Sequence, residues 1–344
     1  MAGSVGPFEN LMIAAKSLSL VAASPRQDFL GLVPGVLSNW EAVSGGANSR
    51  AWRVESSEGT FFLKEYYRGG VGERDRGASE RAFYRLAGER ASDQVPQPVA
   101  WAPDNRAGLF RWVEGRKLAA SEITSDHLEQ AFDFFTRLNR EPLPAAEVLP
   151  GAAETAASVE GHLQIVEGRV RRLAECSGEA GEFVRDEVVG PWEKIRNQAA
   201  PHGALGGPLC VSPSDFGFHN ALFGKDGRLK FFDFEYGGWD DPAKMAADFL
   251  GQPRIPPPPG TRERLSALLE GLFPRDATAV RRFQVLEPVY RIKWVCIILN
   301  GFLPSKGRIR DFARGQELVA QDRKQKLAQA RTYLQAARNG ALLP

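Results

Sequence analysis

The sequence predicts an α+β fold in two lobes, a small antiparallel sheet followed by a larger, mainly helical body. Three observations predict it. Between Trp40 and Tyr67, three short aromatic-rich runs alternate with turns of small residues or glycine, the pattern of a β-meander. From Asp126 onward, apolar residues recur mostly at helical spacing. Inside that helical part, Val211–Phe223 and Leu229–Phe234 flank a tight turn at Asp226-Gly227 and read as a β-hairpin.

At 344 residues the chain exceeds an average domain, which suits a two-lobed body with a substantial core. With 43% apolar and 25% charged residues the composition is that of a soluble globular protein, and a formal charge of +2 points neither to nucleic acid nor to an anionic membrane. The basic clusters Arg169–Arg172 and Arg323–Lys326 fall in helical patterns and read as solvated faces. Cys176, Cys210 and Cys296 are odd in number, far apart and in no metal-ligand spacing, so a reducing compartment without structural disulfides is expected. No basic-apolar signal opens the chain and no apolar run reaches spanning length, so a cytoplasmic protein without membrane partners is expected.

The elements follow in order. Residues 1–35 form an expected helical extension, with a mixed apolar segment at Leu11–Ala23. Residues 36–114 form the first lobe, with strands at Trp40–Val43, Arg50–Glu55 and Thr60–Tyr67. Lys64 lies inside the third strand among Phe61, Phe62, Leu63 and Tyr66. Such a lysine is either an outward charge on a half-exposed strand or a group held for nucleotide phosphates, oriented by a carboxylate from the next helix. Ser79–Leu86 supplies that helix, with Phe83 and Leu86 on one face and Glu80 as the available partner. The loop Ser44–Ser49, with Gly45, Gly46, Asn48 and Ser49, could cover phosphates with its backbone N–H groups.

Val99–Trp101 and Gly108–Gly115 read as strands, and the second runs into a hinge at Trp112, Val113 and Glu114 whose backbone could pair with a purine edge; the alternative is a plain strand-to-helix loop. Residues 115–344 form the second lobe. Ser125–Asn139 carries a broad apolar stripe, Glu154–Ala174 and Glu182–Ala199 read as further helices, and Gly190-Pro191 should kink the last of these. After the hairpin, Asp241 is placed to cap a helix starting at Pro242. Pro253–Gly260, with four consecutive prolines, reads as an extended surface loop, and helices at Thr261–Leu272, Ala277–Leu299 and Gln316–Ala337 close the chain.

The hairpin brings Asp215 and Asn220 to its entry and Asp233 to its exit. An Asp, an Asn five residues on and an Asp at the end of the next strand make the catalytic end of a kinase-like phosphotransferase. Together with the Gly45-Gly46 loop, Lys64, Glu80, a hinge ending in Gly115 and Asp241-Pro242, this set resembles the aminoglycoside phosphotransferase and choline kinase family, from about Trp40 to the C-terminal helices. The resemblance implies a protein-kinase-like fold and Mg2+-dependent transfer of the γ-phosphoryl group of ATP, or GTP, to a hydroxyl of a small molecule. Asp215 would accept or orient the hydroxyl proton, Asn220 and Asp233 would hold Mg2+ through hard oxygens, and Lys64, directed by Glu80, would neutralise the α- and β-phosphates.

Two positions depart from the family pattern. Pro213-Ser214 stand where His-Gly usually precedes the catalytic Asp, and Met245 occupies the place of an acidic residue, with Asp248 one turn later, which suggests a divergent subgroup. For the acceptor, Tyr290, Arg291, Lys293, Trp294 and Asn300 are candidates, and this basic and aromatic set favours a sugar or related polyol over a polycationic aminoglycoside. An aminoglycoside or choline kinase, or a catalytically retired nucleotide-binding scaffold, remain the alternatives. Asp241 follows only eight positions after Asp233, which leaves no peptide platform of the protein-kinase kind. The sequence is compatible with a monomer or a dimer.

Overall fold

The computed structural model of the chain describes residues 24–43, 49–70, 72–141, 149–303 and 320–338. The expected helix at Leu11–Ala23 lies outside them. A five-stranded antiparallel sheet forms the first lobe: β1 (Leu37–Ala42), β2 (Ser49–Ser56), β3 (Gly59–Tyr66), β4 (Pro98–Trp101) and β5 (Ala107–Arg111), in the order β1-β2-β3-β5-β4. The meander is therefore extended by a second hairpin that inserts β5 beside β3.

Strand alternation sorts the lobe's side chains. Trp52 pairs with Leu63 and Val54 with Phe61, and these four bury one face against Phe29 and Leu109. The opposite face of β3 carries Phe62 and Lys64, and it faces helix α1 (Arg76–Arg90), capped by Asp75 accepting from the Ala78 N–H at 2.9 Å. A lysine in a half-apolar strand thus points away from the lobe's own core and toward the second lobe.

The hinge strand β6 (Gly115–Arg116) pairs with β8 (Ala221–Gly224), which pairs with β9 (Leu229–Phe231). Gly115 is needed for that approach, because a Cβ there would stand 3.0 Å from the Phe223 carbonyl. A second small ribbon, β7 (Cys210–Ser212) with β10 (Gly238–Asp240), brackets the same segment, so residues 213–237 are fixed at both ends. Phe234 spans the lobes, 4.6 Å from the Phe83 ring on α1 and 6.0 Å from Phe134. Phe134 and Phe234 are each almost wholly buried, which contributes about 1.5–3 kcal/mol apiece.

The second lobe is built from α2 (Ser125–Asn139), α3 (Val159–Ala174), α4 (Glu179–Phe183), α5 (Val189–Ala199), α6 (Pro242–Leu250), α7 (Thr261–Leu272), α8 (Ala279–Ile298) and α9 (Ala320–Arg338). α8 is its axis and touches α3, α5, α6, α7 and α9. Two helices differ from the sequence reading. α3 starts at Val159 rather than Glu154, because Glu154 takes a left-handed φ of 55° and Ser158 caps the helix by accepting from the Gly161 N–H. The irregularity expected at Gly190-Pro191 lies a turn earlier, as the π-helical segment Val184–Val188. Pro191 cannot donate to residue 187 and its ring crowds that carbonyl, so the strain falls on the preceding turn. Among the described residues no helix is long and apolar enough to cross a membrane.

Candidate active site

β3, α1 and the segment after β9 meet at one ammonium. Lys64 Nζ lies 2.6 Å from Glu80 Oε2 and 2.6 Å from Asp233 Oδ1, with Glu235 Oε2 at 4.0 Å. Burial works against its charge, but Asp233, Glu80 and Glu235 outweigh it and raise the pKa, so Lys64 stays protonated. Glu80 also accepts from the Phe234 N–H at 3.1 Å, which ties α1 to the backbone beside Asp233. Asp233 itself adopts a left-handed φ of 69°. Burial and then the charge of Asp233 push Glu235 up to about 7, against the pull of Lys64 and Arg76. Ligand atoms of Glu80, Asp233 and Glu235 lie within 4.8 Å of one another.

The segment before β8 presents Asp215. Ser214 has a φ of 65°, and the Asp215 N–H donates to the Pro213 carbonyl at 2.9 Å, closing a three-residue turn of the rarer, strained form. A glycine would enter this conformation without penalty. Here a serine holds it, and its hydroxyl makes up contacts that glycine lacks: Lys244 Nζ stands 3.3 Å from Ser214 Oγ, which itself lies 3.5 Å from the Ala153 carbonyl. Lys244 is fully buried and bonded to Asp240 at 2.6 Å.

Asp215 faces His219, with Nε2 3.1 Å from Oδ1, and the Asn220 amide donates to the Asp215 carbonyl at 3.0 Å. Burial tends to raise the Asp215 pKa, but the charge and hydrogen bond of His219, then Lys293 and Arg254, hold it below the usual carboxylate value. The His219 side chain is buried, and the Gln252 amide nitrogen lies 3.3 Å from the same Nε2. Gly217 makes room for that ring, since a Cβ there would stand 2.9 Å from its Nδ1.

The other sequence-predicted residues are placed unevenly. Gly45, Gly46 and Asn48 lie outside the described residues, and Ser49 opens β2 opposite Tyr66. The Trp112 N–H donates to the Thr60 carbonyl at 3.1 Å and so continues the sheet, while Val113 is half-buried and Glu114 exposed. On α8, Lys293 faces the catalytic side and bonds Asp248 at 2.8 Å, and Trp294 donates to the Asp248 carbonyl at 3.3 Å. Asn300, just past α8, accepts from Arg169 at 3.3 Å. Tyr290 is fully buried with its hydroxyl 2.8 Å from His162 Nδ1, and Arg291 bonds Glu287. Tyr290 therefore belongs to the interior and not to an open wall.

Sequence reasoning missed Glu235, Arg74, Lys117, Lys244 and Arg254. Of these, Glu235 could have been found, because it directly follows Asp233-Phe234. Arg74 donates to the carbonyls of Gly151, Glu235 and Gly237 at 2.6–2.9 Å, clasping the second lobe from the loop before α1. Lys117 donates to the His219 carbonyl at 2.5 Å with its ammonium 4.2 Å from the Phe232 ring, and burial followed by Arg254 lowers its pKa to about 8. Two surface cavities of about 550 and 310 Å³ lie elsewhere, one against Phe132, Arg264 and Leu268 and one under Tyr66–Asp75, and neither includes Asp215, Asn220 or Asp233.

The comparisons place the chain in a family and a fold. The phosphotransferase enzyme family model matches residues 39–280, while no curated protein matches the chain. A choline/ethanolamine kinase family protein from Mesorhizobium loti is 18% identical, with a TM-score of 0.53 over 89% of this chain and 95% of that one. A choline kinase from Cryptosporidium parvum Iowa II is 10% identical, with a TM-score of 0.57 over 89% and 91%. A spectinomycin phosphotransferase bound to ADP and spectinomycin is 11% identical, with a TM-score of 0.56 over 88% and 93%. These likenesses show the two-lobed, protein-kinase-like fold. With the family model spanning both lobes, the chain belongs to the phosphotransferase enzyme family and is a phosphotransferase whose acceptor group is a hydroxyl.

Proposed function

We propose that this protein transfers the γ-phosphoryl group of ATP, or GTP, to a hydroxyl of a small non-cationic metabolite, a sugar or related polyol. The observation that carries the choice of acceptor is the charge balance beside Asp215. Asp248 is bonded to Lys293, and Glu154 to Arg169 at 2.7 Å with Lys293 at 3.8 Å. Lys293, Arg169 and Lys244 then stand against Asp248, Glu154 and Asp240, so the acidic groups there are already neutralised. A polyamine or a quaternary ammonium calls for uncompensated carboxylates, whereas a neutral polyhydroxyl compound is matched by paired polar groups.

The roles follow from the positions. Asp215, ionised at neutral pH, takes the acceptor hydroxyl proton, and the tight turn at Ser214 with the His219 contact fixes where its carboxylate points. A carboxylate suffices, because a loose phosphoryl-transfer transition state needs positioning more than a strong base. Lys64 neutralises nucleotide phosphates, and Glu80 keeps it aimed. The Asp233 carboxylate and the Asn220 amide oxygen are hard donors that fit Mg2+, and the Asp233 side chain is 37% exposed and so reachable. When bound, the metal neutralises charge on the phosphate oxygens.

ATP consumption measured across sugars, polyols, amino alcohols and aminoglycosides, with Asp215→Asn as control, tests this reading. Turnover on a sugar or polyol that disappears in the variant is expected. Turnover confined to choline or aminoglycosides would reject it.

A further inference from the structure

The segment after α6, Gly251–Gly260, carries five prolines and no acidic residue, and Arg254 is its one charged side chain. It leaves the acceptor wall directly: the Tyr333 hydroxyl donates to the Gly251 carbonyl at 2.6 Å, and a Cβ on Gly251 would stand 2.8 Å from Trp294. It then runs past the catalytic Asp. Gln252, buried to 1% exposure, accepts from the Arg254 N–H at 2.7 Å and reaches His219 with its amide nitrogen, and His219 contacts Asp215.

Pro253 restricts the chain before Arg254, Ile255 packs on the core after it, and Thr261 bonds the Pro258 carbonyl at 2.6 Å. The backbone of Arg254 is thus held on both sides while its side chain is exposed. Among the described residues its guanidinium makes no ion pair, in contrast to Lys293, Arg169 and Lys244. Its charge nevertheless reaches inward, since it helps lower the pKa of Lys117, whose ammonium donates to the His219 carbonyl. Lys117 also has a carbonyl and a ring for partners rather than a carboxylate. Two cations brought near each other, neither of them in an ion pair among the described residues, make a local positive potential that a bound anion would relieve.

We propose that Arg254 is an anion-binding residue of the acceptor site, and that the acceptor carries a carboxylate or phosphate group besides the hydroxyl that is phosphorylated. The inference rests on the kinase reading above. The acceptor class is then a sugar acid, a sugar phosphate or a polyol phosphate. The guanidinium fork holds the anion while Asp215 meets the hydroxyl, and the proline-rich segment pre-sets the fork so that little freedom is lost on binding. The prolines that read in the sequence only as a surface loop acquire a purpose as a rigid mount.

The test uses the full chain with Mg2+ and ATP and a matched acceptor panel: a hexose, its uronate, its phosphate ester and its amino sugar. The anionic members are expected to exceed the neutral parent by roughly 10- to 100-fold in kcat/KM, the effect of one charge-assisted contact. Arg254→Gln should remove that preference by raising the acceptor KM while moving the ATP KM less than about twofold, and Arg254→Lys should keep part of it. Preference for the neutral or amino member overturns the proposal. So does a rise in the ATP KM alone, which would assign Arg254 to the nucleotide's phosphates. Transfer to no member by a protein that binds ATP also overturns it. A wild type that neither binds nor consumes ATP would instead overturn the kinase reading itself. An unchanged melting temperature of Arg254→Gln separates each of these from misfolding.

Discussion

Lys244 Nζ, buried on α6, stands 3.3 Å from the Oγ of Ser214, the residue whose left-handed backbone presents Asp215. The contact joins the core of the second lobe to the loop that carries Asp215. Lys244 also holds Asp240 at 2.6 Å, so its removal leaves a buried carboxylate without its cation. Lys244→Met should therefore cost about 3–5 kcal/mol of stability. The double variant with Asp240→Asn should regain most of that in urea unfolding yet keep a kcat lowered at unchanged ATP KM. Full recovery of kcat would show that Lys244 serves the fold alone.

Ser214→Gly separates conformation from contact at the same position. Glycine relieves the cost of φ 65°, about 1–2 kcal/mol, and loses one 3.3 Å and one 3.5 Å contact, both weak by length. The variant is expected to melt at or slightly above the wild-type temperature. A fall of several degrees would mean that the hydroxyl contacts outweigh the strain.

Asp215→Asn preserves shape and removes the proton acceptor. A kcat loss of roughly 10²- to 10⁴-fold is expected, with nucleotide affinity by calorimetry unchanged, because neither Lys64 nor Asp233 touches this side chain. Near-wild-type turnover would remove Asp215 from the mechanism.

Tyr290→Phe tests whether that tyrosine belongs to the interior or to acceptor binding. It strips one partner from a buried hydrogen bond to His162 and should cost about 1–2 kcal/mol in stability. The acceptor KM should stay within twofold of wild type. A large KM rise with intact stability would place Tyr290 in the site.

Acid stability should fall over a defined window. Burial opposes the charge of Asp241, but its bonds to His162 and to Arg282 hold the pKa at about 2, below the ordinary 3.8. A depressed folded-state value means that the stabilisation is present above pH ~4 and is lost as pH falls toward 2. For Asp241, 3% exposed, this amounts to about 2 kcal/mol. Glu154, also held at about 2 against burial by Lys293 and Arg169, adds in the same direction. Asp241→Asn should lower stability at pH 7 and flatten its dependence between pH 4 and 2 in urea titrations. An unchanged slope would contradict the assignment.

What the sequence disclosed and what it withheld divide by range. Lys64 and Glu80 were legible because one strand and the next helix are close in the chain, and Asp215, Asn220 and Asp233 because a single hairpin carries them. Arg74 acts through contacts that exist only once the two lobes meet, while Lys244 and Arg254 come beside the catalytic loop only once the second lobe has folded, so no local pattern marks them as its neighbours. The acceptor candidates on α8 illustrate the limit most clearly. Residues 289–296 are buried on every side, so helical periodicity offers no face by which Lys293 could be told from Tyr290. The kink ascribed to Pro191 was legible in kind but fell one turn away, because a proline disturbs the carbonyl four residues before it.

Lys64 is shared among Glu80, Asp233 and Glu235, and this sharing makes nucleotide loading an exchange of partners rather than a simple gain of contacts. Under the proposed roles, a divalent cation at Asp233 would weaken that carboxylate's hold on Lys64, and a phosphate at Lys64 would free Asp233 for the cation. Each would make room for the other, so metal and nucleotide would bind with positive heterotropic coupling of equal size in both directions. A phosphate alone at Lys64 would leave Asp233 without its cation, whereas a cation alone at Asp233 would leave Lys64 held by Glu80. The Lys64–Asp233 ion pair would then act as the checkpoint at which the two are loaded together.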